Sequence, residues 1–337
     1  MADEWKNVLS TYILQQNQDE VDYRPRGGQT VVTDLDYLLR RGERKLRMEK
    51  WYQERGASPL RSETKAKLVG DPVETPGEVE VELQLRRKIY YEKSGVKHRE
   101  DRLDHQRLHL VRSGSDWLIE TVTQLVPERN PVLAGAYPGS GLPGDTPHRL
   151  DRRGPYLNRE VLGAGGIPRG PVYRREDAAR YADEWWDAYN PEFTGFEVDC
   201  TNFISQCLFA GGAPINYTGK RESGWWYKGY IGGQEGWSYS WSVAGSLERY
   251  LSSSRSSLRA ELVDRAEQLE LGDVIIYDWD GDGAYQHSTI VTAFDAGGMP
   301  LVNAHTVSSR HRYWDYKDSY AWTESTRYRF FHIADRF

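Results

Sequence analysis

Between residues 127 and 170 the chain loses every apolar period, running through Gly139-Ser140-Gly141-Leu142-Pro143-Gly144 in a stretch dense in Gly, Pro and Arg. Such a segment reads as a linker or long surface loop, because Gly and Pro interrupt helices and strands and few apolar side chains remain to pack. It divides a chain of 337 residues into two parts, each long enough to bury a core of its own. The expected organisation is an α+β domain over 1–126, a linker over 127–170 and a second α+β domain over 171–337.

In the first part, Trp5, Val8, Leu9, Tyr12 and Ile13 fall on one stripe of an amphipathic helix. A charged helix is expected over 33–54. The period then changes. Val79, Val81, Leu83 and Leu85 alternate with Glu80, Glu82, Gln84 and Arg86, as in a half-buried antiparallel strand. Ser94-Gly95 turns that strand back, a further strand is expected over 103–111, and Ser113-Gly114-Ser115-Asp116 leads into a last one over 117–125. Helices followed by a curved sheet resemble the NTF2-like and cystatin-like folds in topology. His98, His105 and His109 lack the spacing of a metal motif and read as polar-face strand residues.

Charged residues make up 28% of the chain and the formal charge is −6. The two signs are interspersed, which gives no electrostatic case for nucleic acid. No apolar run approaches the roughly 20 residues that span a bilayer, and residues 1–5 are polar, so no membrane association and a cytoplasmic location are expected. Cys200 and Cys207 are the only two cysteines. On one helix their Cα atoms would lie roughly 10 Å apart, too far for a disulfide. Walker A, GxGxxG and GxSxG motifs are absent, so neither a nucleotide cofactor nor serine hydrolysis is supported, and no cofactor is expected. Asp278-x-Asp280-x-Asp282-Gly283 copies the start of a calcium loop, but Thr289 stands where the bidentate Glu belongs. An acidic turn with no metal is the expectation.

The chemistry concentrates in Asp199-Cys200-Thr201-Asn202-Phe203-Ile204-Ser205-Gln206-Cys207, which runs into Gly211-Gly212. Asp199 reads as an N-cap and the glycines as a stop, placing Cys200 in the first turn of a helix. Unpaired N–H groups and the helix dipole there favour a thiolate. The alternative is a core thiol, since Cys200, Phe203, Ile204, Cys207 and Leu208 share one apolar stripe. A base is available downstream. His287 opens a strand after the polar loop that follows Val274–Tyr277, and Asn303 and His305 share one face of the next strand, either of them placed to orient an imidazole. Trp225, Trp226, Trp237 and Trp241, in a Gly-punctuated stretch, either wall a substrate groove or pack on the core.

These residues resemble a bacterial family, the Putative amidase domain, a relative of the NlpC-type and CHAP-type cell-wall peptidases. The resemblance starts near Tyr173. It rests on the Arg175-x-x-Ala178-x-x-Tyr181-Ala182-x-x-Trp185 helix, Asn190-Pro191, the Asp199 to Cys207 core, Gly211-Gly212, Trp241-Ser242, Gly272-Asp273, the acidic loop before His287, and His305-Thr306. It implies a papain-like cysteine hydrolase with Cys200 as nucleophile, His287 as base, and His305, ahead of Asn303, as the third residue. Asp199 and Asn202 would support them. The implied substrate is a peptide or a peptidoglycan stem peptide. A non-catalytic module holding cell-wall glycan or peptide on the same fold is the rival. The oligomeric state and the role of 1–126 carry no signal.

Overall fold

The computed structural model describes residues 4–23, 30–125, 128–129, 172–231, 233–253 and 256–337. Apart from Glu128 and Arg129, the expected linker lies outside the described residues. Two compact units form, one of Met1–Pro127 with Asp315–Trp322, the other of Glu128–Trp314 with Thr323–Phe337. Both mix helix and sheet. Among the described residues no helix is long and apolar enough to cross a membrane.

In the first unit α1 (Glu4–Asp19) buries Trp5, Leu9 and Tyr12, and α2 (Leu35–Glu54) is capped by Asp34, whose carboxylate accepts the Tyr37 N–H at 3.0 Å. Both helices belong with an antiparallel sheet in the order β1-β3-β4-β5, built from β1 (Ala57–Leu68), β3 (Glu78–Lys93), β4 (Val96–Ser113) and β5 (Asp116–Gln124), with the short β2 (Val73–Thr75) paired to β3. Val79, Val81, Leu83 and Leu85 are buried, as their alternation requires. Ser94 and Gly95 take φ of 52° and 78°, the left-handed pair that a tight two-residue hairpin demands.

Residues 315–322, which the sequence assigns to the second domain, group with the first unit for a visible reason. The Trp51 indole N–H donates to the Asp315 carboxylate at 2.9 Å, Arg44 to the Asp318 carbonyl at 2.6 Å, and Arg47 to the carbonyls of Lys317 and Ser319 at 2.6 and 2.9 Å. One face of α2 thus supplies donors to backbone carbonyls that have no sheet of their own.

The second unit starts with α3 (Arg175–Trp185) and α4 (Cys200–Ala210). A hairpin of β6 (Tyr227–Ile231) and β7 (Gln234–Trp237) and two short helices, α5 (Tyr239–Ser242) and α6 (Ala244–Leu251), follow. Six antiparallel strands then form a sheet in the order β12-β11-β10-β9-β13-β8, with β8 (Ala260–Val263), β9 (Val274–Asp278), β10 (His287–Phe294), β11 (Pro300–Ala304), β12 (Ser308–Tyr313) and β13 (Arg327–Ile333). Helix α4 packs against α3 and β10, and Phe203, Ile204, Cys207 and Leu208 join Val274, Ile276 and Ile290 in the core.

Gly272-Asp273 has a mechanical role in this unit. Gly272 adopts φ of +80°, and a Cβ there would sit 2.6 Å from the Tyr173 hydroxyl, which donates to the Gly272 carbonyl. Buried Asp273 accepts from Arg175, from the Glu270 and Ile333 N–H groups and from His332, tying α3, β9 and β13 together.

Candidate active site

Helix α4 begins at Cys200, and the groups around its first turn are polar and buried. Asp199 occupies the N-cap position, yet its side chain caps no helix N–H. One carboxylate oxygen accepts from the Phe196 N–H at 3.0 Å and from Asn202 Nδ2 at 2.8 Å; the other accepts from His305 Nδ1 at 2.7 Å. The capping role expected from the sequence is thereby corrected. An acceptor shared by the Phe196 N–H and the side chains of Asn202 and His305 is spent before it can reach the helix N–H groups.

Asn202 is equally committed, since its Nδ2 also reaches the Thr194 carbonyl at 2.9 Å and its Oδ1 accepts the Trp241 indole N–H at 2.8 Å. His305 stacks on Phe203 with ring centroids 3.9 Å apart. Its Nε2 faces the Trp185 carbonyl at 2.8 Å. With an acceptor opposite each ring nitrogen, both bonds form together only when both nitrogens donate. The next residue, Thr306, accepts the Asp199 N–H on its hydroxyl at 2.9 Å. Thr306 and Val307 adopt φ of 62° and 60°. A β-branched residue in the left-handed region is strained, and the paired contacts of His305 and Thr306 to Asp199 accompany that turn.

Cys200 is 3% exposed. Its sulfur lies 3.8 Å from Thr201 Oγ1 and 3.9 Å from the Gln286 carbonyl oxygen. Burial pushes the thiol up and outweighs the hydrogen bonds from Thr201 and Ser288 that pull it down; Asp199 adds a further push upward. The lowered thiol expected of a helix N-terminus is not what this environment produces, because desolvation exceeds the favourable contacts. Cys207 sits mid-helix in the core, and its thiol is raised well above the ordinary range, again by burial.

The imidazole of His287 does not face that sulfur. Along β10, Ser288 places its hydroxyl 3.0 Å from Thr201 Oγ1 and Ile290 joins the core with α4. Alternation turns His287 and Thr289 to the other side. There Thr289 Oγ1 lies 3.2 Å from the Tyr277 hydroxyl, and the His287 ring packs on Tyr277 and Trp279 at centroid distances of 5.5 and 5.7 Å. Burial, reinforced by the Arg312 cation, lowers the His287 pKa to about 3 and keeps the ring neutral. A sulfur–imidazole hydrogen bond is therefore not formed in this conformation.

Neither candidate for the third residue is among the ring contacts described for His287. Asn303 accepts from Thr292 Oγ1 at 2.8 Å and from the His311 N–H at 2.9 Å, and donates to Asp183 at 2.9 Å. Burial raises the Asp183 carboxyl, but donors from His311, Arg310 and Asn303 win and hold it at about 2.

Trp225, Trp226, Trp237 and Trp241, considered as groove walls, are buried in the core. The Trp225 indole N–H is satisfied by Ser205 Oγ at 3.0 Å and that of Trp226 by the Ser223 carbonyl at 3.0 Å. They pack inward because the hairpin and α5 fold their aromatic faces onto α4. In the acidic loop, Asp278 accepts the N–H groups of Gly281 and Gly283 at 2.8 Å each, Asp282 that of Ala284 at 2.8 Å, and Asp280 pairs with Arg129. Among the described residues no group of His, Cys, Asp and Glu has a metal-site arrangement. Thr201, Ser288 and Gln286 escaped the sequence reading, and nothing local to them signals a role. Thr306 carried a signal in its pairing with His305.

Residues 172–331 match the family described as "Putative amidase domain". The amidase-domain family is thus supported for the segment that builds the second unit's helices and sheet. A Bacillus subtilis (strain 168) protein named "Uncharacterized protein YhbB" is 55% identical over 177 residues, covering 52% of this chain and 54% of the relative. The chain spans about half the length of that relative. No solved structure matches.

Proposed function

We propose that the second unit is a cysteine-dependent amide hydrolase of papain-like fold, with Cys200 as nucleophile and a peptide or peptidoglycan stem peptide as substrate. Amide hydrolysis is the activity that the family description suggests. One observation carries the cysteine mechanism: the first turn of α4 is surrounded by buried, hydrogen-bonded polar groups, namely Asp199, Thr201, Asn202, Ser288, His305 and Thr306. A thiol that merely fills a core has no use for such neighbours, each of which costs desolvation.

In this reading Cys200 gives its proton to His287, the sulfur bonds to the carbonyl carbon, and the amine leaves with that proton. Water then hydrolyses the thioester. Burial makes His287 a poor proton acceptor where its ring now sits, so it serves as base only once the ring leaves that site; its backbone lies between Gln286 and Ser288, both of which reach Cys200. The closed, protonated thiol and the ring turned toward Trp279 make the described conformation a resting state. Activation brings the ring to the α4 side at the start of β10.

The burial of Cys200 favours a second reading, a module that holds cell-wall glycan or peptide without cleaving it. Purified peptidoglycan fragments and a mixture of ordinary peptides, incubated with wild type and Cys200→Ala and followed by mass spectrometry, separate the two. Hydrolysis products are expected with wild type only. Equal binding by both proteins with no product from either supports the non-catalytic module.

A further inference from the structure

We infer that the side-chain amide of Gln286 receives the carbonyl oxygen of the acyl group attacked by Cys200; this rests on the cysteine reading above. Gln286 stands immediately before β10, and its backbone N–H donates at 2.9 Å to the carbonyl of Tyr277, the residue that His287 also faces. Its Oε1 accepts the Trp279 N–H at 2.9 Å. That bond fixes which end of the carboxamide is oxygen and leaves the NH2 end with the task of finding an acceptor.

Gln286 is 9% exposed. Its Nε2 is buried, with no hydrogen-bond partner among the described residues. A buried donor left unmet costs about 1–3 kcal/mol, and such groups call for an explanation. Position supplies one. The carbonyl of the same residue is 3.9 Å from the Cys200 sulfur. Two residues further on, Ser288 meets Thr201 in the first turn of α4 through its hydroxyl.

The side chains of Asp199, Asn202 and His305 are already committed to the contacts described above. When the sulfur bonds to the carbonyl carbon, the C=O π pair moves onto oxygen, and a donor there stabilises the negative charge. When the pair returns, the C–N or C–O bond to the leaving group breaks. Gln286 exchanges no proton in either step. It offers a hydrogen bond that strengthens as charge develops.

Two probes of Cys200 test the assignment. p-Nitrophenyl acetate acetylates the sulfur through an oxyanion, with p-nitrophenolate leaving; iodoacetamide alkylates it by displacement, with no oxyanion. Peptide mapping reads both on wild type, Gln286→Glu, which keeps the acceptor for Trp279, and Gln286→Met, with native fold checked by near-ultraviolet circular dichroism. Acetylation of Cys200 is expected to slow by about 10²–10³-fold in both variants, the range seen on removal of one oxyanion donor. Alkylation is expected to stay within about threefold of wild type, because its rate follows the thiolate and its access. Equal slowing of both reactions, or unchanged acetylation in a folded variant, overturns the assignment. A wild-type Cys200 that neither reagent modifies sinks the cysteine reading itself and takes the assignment with it.

Discussion

Acidification from pH 7 to pH 4 is expected to remove on the order of 3 kcal/mol of stability from the second unit, because the unfolded chain takes up a proton that buried His287 refuses. The folded pKa is about 3, depressed by burial and then by the Arg312 cation. An unfolded histidine titrates near 6.5. Above that value both states are neutral and the contribution is complete. As pH falls from 6.5 toward 3, each unit of pH costs about 1.4 kcal/mol, to a ceiling of about 5.

Urea titrations at pH 7, 5.5 and 4, read by hydrogen exchange on peptides from β9 and β10, measure the slope, and His287→Gln should flatten it. The first unit should respond in the opposite direction. Burial raises Asp315 to about 6, against the N–H donors from Lys317 and Trp51. Its raised pKa favours the protonated carboxyl in the fold, so that contribution is present in acid and lost as pH rises through about 6. Peptides from α2 should therefore gain protection on mild acidification, and parallel behaviour of the two units would show that these two groups do not govern the response.

Removing the Asp199 side chain is the second large effect. Asp199→Ala leaves the Phe196 N–H, Asn202 Nδ2 and His305 Nδ1 without their shared acceptor inside the unit. Breaking one partner of a buried charged contact costs about 3–5 kcal/mol, most of it for the polar groups left behind. Asp199→Asn should cost less, since an amide oxygen still accepts. Chemical denaturation at neutral pH checks the order. A loss below about 1 kcal/mol for Asp199→Ala would mean that the donors find other acceptors and that Asp199 does not hold the N-terminus of α4.

How much of this was legible in the chain depends on where each constraint lies. The hairpin of β3 and β4 was readable because it buries one face, so alternation and the Ser94-Gly95 turn both print in the sequence. Strand β1 was not. It reads ASPLRSETKAKL, is mostly exposed and forms by pairing along β3 rather than by any period of its own.

The helix opened by Cys200 was equally plain, with Asp199 before it and Gly211-Gly212 after it. The destination of the Asp199 carboxylate was hidden, because its strongest partner, His305, is 106 positions away. The side on which His287 points was hidden for a different reason. In β10 the residues from His287 to Thr292 are buried on both faces, so no polar alternation marks which face meets α4, and a one-residue difference in phase exchanges every side chain. The four tryptophans posed the same problem, since a Gly-punctuated aromatic stretch looks alike whether it lines a groove or fills a core.

The central claim is that Cys200 is a nucleophile served by His287. Its most direct test is alkylation of the folded protein by iodoacetamide across pH 5–9, with Cys200 and Cys207 quantified separately in wild type and His287→Ala. The account predicts that Cys200 reacts well ahead of Cys207 in the native state and that His287→Ala slows Cys200 alone. Modification of both cysteines together, only as the protein unfolds and equally in the two proteins, would contradict it.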